Sequence, residues 1–234
     1  KNSLDSLRSI KIGGFNVTMS HKVKVLDYVD RQDNTVQLVG AANTVNNEDG
    51  KFCAYNTDVI GFIKPLHDRK VDFNGFEVFI LGAGGAARAI AVSLSGEKGI
   101  RNINIYNLNT DRSVKLSNIV KKMGLESTII SKDDIQNTAS KCNLIINATP
   151  LGMNNEKSLI KSSSIRKEAI VYDIVYKPII TNLVENAKTA GAEIVYGYEM
   201  LLEQATASFK IWLQIDPPVE SMKKALFGFF GEPA

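Results

Sequence analysis

From about residue 75, the chain carries short apolar, β-branched runs separated by segments with a helical pattern. The runs are FEVFIL (76–81), INIYNL (103–108), STII (127–130), NLIINA (143–148), AIVYDIV (169–175) and AEIVYG (192–197). Near-continuous apolar runs of this length are typical of parallel strands, which are buried on both faces. The intervening segments include GAARAIAVSLS and TNLVENAKTAG, and the second ends in a glycine suited to a helix C-cap. This alternation predicts an α/β fold with a doubly wound, Rossmann-type parallel sheet.

The first 74 residues have a different pattern, with shorter strand-like stretches and more turn residues. GGFNVT, ANTVNN and KFCAYN are interpreted as strands, and NEDGK at 47–51 predicts a hairpin turn. We therefore expect a smaller α/β lobe at 1–74 and a dinucleotide-binding domain at 75–204. Residues 205–234 should continue an amphipathic helix that begins at LLEQATASFKIWLQ, pack back on the first lobe, and end in a tail containing Pro and Gly.

A glycine-rich turn joins the first apolar run to the next helix, in FEVFILGAGGAARAI. Gly82, Gly84 and Ala87 occupy the three small positions of the dinucleotide-binding fingerprint. They serve the tight turn, the approach of backbone to a pyrophosphate, and close packing of helix on strand. The fingerprint alone also fits a purely structural turn. The preceding strand, the following helix and the later βα units favour nucleotide binding, with phosphates at the helix N-terminus.

The end of the second strand indicates which nicotinamide cofactor is bound. NAD-binding sites place an Asp or Glu there, bonded to the adenosine ribose hydroxyls. In IYNLNTDRS (105–113), no acid stands at Asn107 or Leu108, and Arg112 follows within reach of a 2′-phosphate. This pattern favours NADP. The alternative is that Arg112 is only a solvated helix residue.

Two polar stretches in the first lobe, FNVTMSHK (15–22) and AYNTDVIGF (54–62), contain the candidate chemistry. Hydride transfer to a ketone develops negative charge on oxygen, so the site needs a proton donor or a cation beside it. Lys22 can serve as both, and Asp58 is its natural partner. On spacing alone, the favoured alternative is a surface ion pair of little energetic value. His21 adjoins Lys22, but adjacent residues point to different sides of a helix or strand, so we do not expect it in the same pocket.

Composition narrows the class of partner. The net charge of +3 is spread without a basic run, which argues against nucleic acid and against an anionic membrane surface. The sequence contains no run of eighteen apolar residues, so no membrane span is expected, and its first residues do not resemble a signal peptide. Cys53 and Cys142 fit no metal or redox spacing and are expected to be buried thiols in a reducing cytoplasm. With only two histidines, a dedicated metal site is not expected.

Seven stretches of the chain, in order, resemble motifs of the shikimate dehydrogenase family. They are GGFNVTMSHK, GAANTV (40–45), YNTDVIGF, LGAGGAARA, NATPLGM (147–153), VYDIVYKPIITNL (171–183) and YGYEMLLEQATASFKIW (196–212). The resemblance covers almost the whole chain from about residue 12. It implies an NADP-dependent oxidoreductase that reversibly reduces 3-dehydroshikimate to shikimate in aromatic amino acid biosynthesis.

The resemblance also assigns site residues. The family's catalytic lysine corresponds to Lys22 and its catalytic aspartate to Asp58. Substrate contacts correspond to Thr18, Lys22, Asn43, Asp58, Tyr176 and Gln204. Cofactor contacts correspond to Gly82, Ala83, Gly84, Gly85, Ala86, Asn107, Arg112, Thr149, Ile174 and Gly197. The implied partner is a small-molecule substrate, with no nucleic acid, membrane or metal, and a homodimer stays open.

The chain departs from the family's pattern at three places. Ser20 replaces the proline usually found two residues before the lysine, and Leu108 stands where an NADP-clamping arginine usually lies. Nothing matches the family's first strand and its Ser-x-Ser loop, which grips the substrate carboxylate. We therefore expect that an N-terminal piece is absent and that the substrate pocket is incomplete. Two alternatives remain: a quinate-preferring or dual-substrate relative, and a non-catalytic NADP-binding regulator, which would not need Lys22 and Asp58.

Overall fold

Two β-sheets organise the chain in its computed structural model, which describes residues 2–19 and 21–231. The first sheet contains β1 (Gly14–Asn16), β2 (Arg31–Gln32), β3 (Thr44–Glu48) and β4 (Lys51–Tyr55). The second contains β5 (Glu77–Leu81), β6 (Asn102–Tyr106), β7 (Ser127–Ile129), β8 (Leu144–Asn147), β9 (Ile170–Asp173) and β10 (Glu193–Tyr196). The helices are α1 (Asn2–Ser9), α2 (His21–Lys24), α3 (Asn34–Val39), α4 (Asp58–Asp68), α5 (Gly85–Ser95), α6 (Thr110–Lys122), α7 (Ile135–Ala139), α8 (Asn182–Ala190), α9 (Gly197–Leu213) and α10 (Val219–Phe230), and 3₁₀ turns lie at Val25–Tyr28 and Ser162–Ser164.

The second sheet is parallel throughout and has the order β10-β9-β8-β5-β6-β7. Each of the six apolar runs overlaps one of its strands, so the predicted doubly wound α/β fold is confirmed. Alternate residues face two separate cores. Ile80 lies in the core shared with α4, α5 and α6, whereas Phe79 lies in the core shared with α7 and α8. The strand order reverses between β5 and β8, and a crevice for a ligand forms at the carboxyl ends of such a pair.

The first sheet has the order β1-β3-β4-β2. β3 and β4 form the predicted hairpin, and its turn residues Asp49 and Gly50 both have positive φ, of 52° and 84°. A turn of this kind matches the twist of the two strands it joins. Strand β2, which pairs in parallel with β4, was not predicted. Its two residues, Arg31 and Gln32, are both exposed, so no apolar pattern indicates a strand there.

Helix α9 connects the two sheets, and three glycines allow it to lie close to the loop after β9, to α4 and to β1. A Cβ at Gly197 would lie 2.4 Å from the Val175 carbonyl oxygen, and one at Gly61 of α4 would lie 2.7 Å from the Gln204 Cβ. At the other end of α9, the Trp212 ring occupies the space of a Cβ at Gly14, and its Nε1 donates to the Val45 carbonyl at 2.9 Å. The contact with Gly61 brings the start of α4 beside α9.

A further helix that was not predicted, α10, occupies residues 219–230 of the segment interpreted as a tail containing Pro and Gly. Pro218 immediately precedes this helix, where a missing N–H costs little since the first helical N–H groups have no intrahelical partner. The Phe227 ring packs on Tyr198 with centroids 5.1 Å apart, and the Phe230 ring packs on Tyr176 at 5.4 Å. These aromatic contacts pack α10 against the loop after β9 and the start of α9. Within residues 2–19 and 21–231, no helix is both long and apolar enough to cross a membrane.

Candidate active site

A cavity of about 300 Å³ lies between the first sheet, the start of α9 and the carboxyl edge of the second sheet. Its lining includes the six predicted substrate residues Thr18, Lys22, Asn43, Asp58, Tyr176 and Gln204, and the predicted cofactor residues Ala86, Ile174 and Gly197. Asn16, Val17, Met200 and Leu201 also line it and were not predicted. A larger cavity, of about 420 Å³, contains none of the predicted site residues. We therefore take the smaller cavity as the candidate active site.

Lys22 and Asp58 form an ion pair in the wall of this cavity. The Lys22 Nζ lies 2.5 Å from the Asp58 Oδ2, and the two side chains are 15% and 6% exposed. This burial excludes the alternative of a solvated surface pair. Asp58 is the first residue of α4, where the positive end of the helix dipole favours a carboxylate. The Lys22 carbonyl accepts from the Ala42 N–H at 2.8 Å, which ties α2 to the loop that precedes Asn43.

Asn43 connects the residues of the cavity wall. Its Nδ2 donates to the Thr57 Oγ1 at 2.8 Å, the Asp58 Oδ1 at 2.9 Å and the Gln204 Oε1 at 3.2 Å. Its Oδ1 accepts from the Thr57 backbone N–H at 2.8 Å. The buried amide therefore orients the carboxylate of Asp58 and the amide of Gln204 at the same time.

A layer of buried hydroxyl groups supports this wall, and the sequence patterns did not indicate it. The Ser208 Oγ lies 2.8 Å from the Thr44 Oγ1 and 3.1 Å from the Thr57 Oγ1, and it donates to the Gln204 carbonyl at 2.9 Å. All three hydroxyl-bearing residues are buried. Their motifs were recognised, but a hydroxyl inside a motif carries no signal that separates a buried position from an exposed one.

The glycine-rich turn has the backbone geometry that a dinucleotide requires. Gly82 has a φ of 109°, and a Cβ there would lie 2.7 Å from the Ala148 carbonyl oxygen. Among residues 2–19 and 21–231, no atom beyond those of its two chain neighbours lies within 4 Å of the Cβ position of Gly84, so open space faces the start of α5, while Ala87 is fully buried against the sheet. The first N–H groups of a helix are unpaired and attract phosphate oxygens. The residues present therefore fit the pyrophosphate of a dinucleotide.

The turn and the buried ion pair are neighbours. A Cβ built at Gly85 would lie 3.7 Å from the Lys22 Cδ and 3.8 Å from its Cβ. The Lys22 side chain therefore passes beside the first residue of α5 on its way to Asp58. His21, by contrast, is exposed and is not among the residues that line the cavity. Ser20 lies outside the described residues.

The loop after β6 presents the residues predicted to distinguish NADP from NAD. Asn109 caps α6 by accepting from the Arg112 N–H at 3.1 Å, and the Asn107 Nδ2 donates to the Asn109 carbonyl at 2.9 Å. The Leu108 side chain is 88% exposed and offers no polar group. Arg112 is exposed in the first turn of α6, as expected, and Asp111 adds a negative charge to the same turn.

Family models match three parts of the chain. The model described as the shikimate dehydrogenase substrate binding domain matches residues 1–45, and that of shikimate / quinate 5-dehydrogenase matches residues 66–187. The model of the shikimate 5'-dehydrogenase C-terminal domain matches residues 197–227.

Individual proteins agree with the family models. A shikimate dehydrogenase (NADP(+)) of Nitrosopumilus maritimus is 41% identical over 97% of this chain and 83% of its own length. A crystal structure of a shikimate dehydrogenase in complex with NADP+ is 33% identical, has a TM-score of 0.88, and is matched over 99% of this chain and 81% of that chain. A quinate dehydrogenase from Corynebacterium glutamicum in complex with NAD is 28% identical, with a TM-score of 0.89, over 97% of this chain and 82% of that chain.

Proposed function

Because the chain belongs to the shikimate dehydrogenase family, we propose that it interconverts 3-dehydroshikimate and shikimate as an NADP-dependent oxidoreductase. One observation carries the proposal. The buried Lys22–Asp58 pair lines a cavity and also lies beside the glycine turn, so an acid–base group and a cofactor cradle meet at one place. A protein that only bound the nucleotide would not need this pair.

NADPH, when bound, supplies the hydride for reduction of the ring ketone. The Lys22 ammonium group donates a proton to the ketone oxygen, on which negative charge develops. Asp58 holds that ammonium group against the cavity wall through its Oδ2, while its Oδ1 is held by Asn43. In the oxidation direction, Lys22 takes the hydroxyl proton back. The two residues are therefore proposed as the catalytic pair.

The remaining substrate contacts are proposed for Thr18, Asn43, Tyr176 and Gln204. Their support is that all four line the cavity with Lys22 and Asp58. Side-chain amides both donate and accept hydrogen bonds, which suits a ring that carries several hydroxyl groups.

The cofactor is assigned to the crevice at the carboxyl edge of the second sheet. The glycine turn would hold its pyrophosphate, and the loop after β6 would hold its adenosine ribose and 2′-phosphate. The full proposed set is Gly82, Ala83, Gly84, Gly85, Ala86, Asn107, Arg112, Thr149, Ile174 and Gly197.

The decisive experiment is the absorbance of NADPH formed by purified protein with shikimate and NADP+. We expect turnover with both present and none when either is omitted. Calorimetric titration with NADP+ alone should run in parallel. Tight NADP+ binding without turnover on shikimate or quinate would overturn the enzyme assignment in favour of a nucleotide-binding regulator.

Quinate is the second candidate substrate, because a quinate dehydrogenase is among the similar solved structures. Quinate has a saturated ring with an additional hydroxyl group, so pocket contacts decide between the two acids. The ratio of kcat/KM for shikimate to kcat/KM for quinate, measured with NADP+ and with NAD+, distinguishes them. We expect the ratio to favour shikimate with NADP+, and a ratio below one would favour the quinate assignment.

Three finer statements complete the proposal. The lobes are assigned to residues 1–74, 75–204 and 205–234, with the last segment returning to the first lobe. Support for the return of the last segment comes from the hydrogen bond that Trp212 donates to Val45 of β3.

We also propose a cytoplasmic location, which suits the free thiols of Cys53 and Cys142. Light scattering of the purified protein tests the homodimer, which stays an expectation.

A further inference from the structure

Asp173 is a buried carboxylate at the carboxyl end of β9. It is fully inaccessible to solvent, and no Lys or Arg within residues 2–19 and 21–231 forms an ion pair with it. Burial raises its pKa, against the hydrogen bonds that lower it. Burying an isolated carboxylate is costly, so its retention at a strand end calls for an explanation.

Three donors from three different segments converge on Asp173. Its Oδ1 accepts from the Asn147 Nδ2 at 2.9 Å and from the Val175 N–H at 3.1 Å. Its Oδ2 accepts from the Thr181 Oγ1 at 2.5 Å. Asn147 ends β8, Val175 follows β9 and Thr181 caps α8. One carboxylate therefore links the ends of two neighbouring strands to the helix that follows the second.

The same residues shape the loop after β8. The Asn147 Nδ2 also donates to the Leu151 carbonyl at 3.0 Å, and its Oδ1 accepts from the Thr149 Oγ1 at 2.6 Å. Gly152 has a φ of 105°, and a Cβ there would lie 3.1 Å from the Thr181 side chain. The loop that carries Thr149 is thus held through Asn147 and packed against Thr181.

We propose that Asp173 is a positioning residue that fixes the loops after β8 and β9 and, through them, Thr149 and Tyr176 in the cofactor and substrate sites. The inference rests on the proposed function, because that function assigns the two residues to NADP and substrate. Hydrogen bonds to a charged acceptor are stronger than neutral ones, which suits a residue that must hold two loops in one arrangement. An apolar residue at position 173 could fill the space but could not orient Asn147 and Thr181.

The test uses two changes that remove the charge-assisted hydrogen bond donated by Thr181 to Asp173: an amide at position 173 can only donate in return to the Thr181 hydroxyl, and an apolar residue at position 181 forms no bond. Asp173→Asn removes the charge and keeps the shape, and Thr181→Val removes the hydroxyl at nearly constant volume. Binding of NADPH is measured by its fluorescence, alongside KM and kcat for shikimate and the thermal unfolding midpoint. We expect both variants to weaken NADPH binding by about tenfold, the scale of one charge-assisted hydrogen bond, and to raise KM more than they lower kcat.

Two controls separate positioning from simple destabilisation. Thr181→Ser keeps the hydroxyl bond and should bind NADPH nearly as tightly as the parent protein. Thr189→Val removes an exposed hydroxyl that donates only to the Glu185 carbonyl on the same helix, and it should also leave binding unchanged. Because Thr181 also caps α8 by accepting from the Val184 N–H, Thr181→Val should lower the unfolding midpoint more than Asp173→Asn does.

The proposal is overturned if Asp173→Asn binds NADPH like the parent protein while remaining folded, or if Thr181→Ser is as defective as Thr181→Val. The NADPH titration does not depend on turnover. A parent protein that binds NADPH but does not oxidise shikimate would refute the proposed function, and the two variants would still decide the role of Asp173.

Discussion

The two halves of the active site are built in different ways. The glycine turn is formed by consecutive residues, 82–87, and offers backbone N–H groups and open space. The cavity wall is formed by side chains from distant parts of the chain: Asn43 bonds Gln204 across 161 positions, and Lys22 bonds Asp58 across 36. The candidate phosphate site is therefore formed by one local segment, whereas the proposed proton-transfer site depends on the assembly of both sheets and α9.

Lys22→Met tests the side-chain half most severely. We expect turnover to fall by at least about a hundredfold, the usual scale for a lost acid–base group, because methionine keeps the packing but cannot give up a proton. Affinity for NADP+ should change little, since the glycine turn binds through backbone. Steady-state kinetics and calorimetric titration measure the two effects. His21→Ala, at the exposed neighbouring position, is the matched control. A Lys22→Met variant with near-parental turnover would contradict the assignment.

Asp58→Asn should lower turnover and raise KM for shikimate together, with a smaller effect on turnover than Lys22→Met. The amide keeps the shape but removes the charge that holds Lys22, and a lost charged hydrogen bond commonly costs about tenfold or more. Kinetics over a range of shikimate concentrations separate the two parameters. Asp68→Asn, an exposed carboxylate on the same helix, serves as the control and should behave as the parent protein. A change confined to KM would show that Asp58 only binds substrate.

Gly82→Ala tests the backbone half. A side chain at the positive φ of Gly82, with its Cβ 2.7 Å from a carbonyl oxygen, should cost about 1–3 kcal/mol in strain and distort the turn. We expect weaker NADP+ binding and a lower unfolding midpoint. Gly124→Ala is the matched control, since Gly124 also has positive φ, at 83°, but has open space at its Cβ position. Equal loss of NADP+ affinity in both variants would show that the affinity falls through general destabilisation and not through distortion of the glycine turn.

Arg112→Ala sharpens the comparison at a place where the cofactor half relies on a charged side chain. Loss of a guanidinium contact to the 2′-phosphate should weaken NADP+ by about tenfold and leave NAD+ nearly unchanged. Because Leu108 contributes no charge and Asp111 opposes the phosphate, we expect the parent protein to prefer NADP+ by a small margin. Lys115→Ala on the same helix is the control. Equal weakening of both cofactors, or a parental preference for NAD+, would contradict the assignment.

Ser208→Ala should have the smallest effect on activity. Removing the buried hydroxyl leaves Thr44 and Thr57 without one partner, and we expect a loss of about 1–3 kcal/mol in the free energy of unfolding. Turnover should fall only slightly, because no reacting group is removed. Denaturant unfolding provides the measurement, with Ser140→Ala at an exposed position as the control. A loss of turnover as large as that of Asp58→Asn would move Ser208 into the catalytic group.

The sequence predicted the second sheet well because its strands are buried on both faces. Continuous apolar runs such as 76–81 therefore indicate them directly. Strand β2 gave no such signal, because its two residues are exposed and pair with β4 through the backbone. Helix α10 was missed for a related reason, since its aromatic residues pack on rings of Tyr176 and Tyr198 that lie far away in the sequence.

The candidate site likewise has parts that could be predicted from the sequence and parts that could not. The glycine turn could be interpreted from spacing, because its function is local. Lys22 and Asp58 could be paired from the residues, but their assignment as a catalytic pair needed the resemblance, since spacing alone favoured a surface ion pair. The hydroxyl layer around Ser208 and the role of Asp173 required the structure, because both depend on which segments meet at a point.

The closeness of Lys22 to Gly85 makes the two halves of the candidate site depend on each other, because the two residues share the same space. A methyl group at position 85 would lie 3.7 Å from the Lys22 Cδ, which is ordinary van der Waals contact, so a larger side chain that extends the same way would compete with the lysine methylenes for space. We therefore expect substitutions at position 85 to be limited both by the proposed phosphate site and by the lysine. The same substitution could be harmless beside a shorter residue at 22 and damaging beside lysine. The proposed cofactor turn and the proposed proton donor are therefore expected to constrain each other, although they are assigned to different lobes.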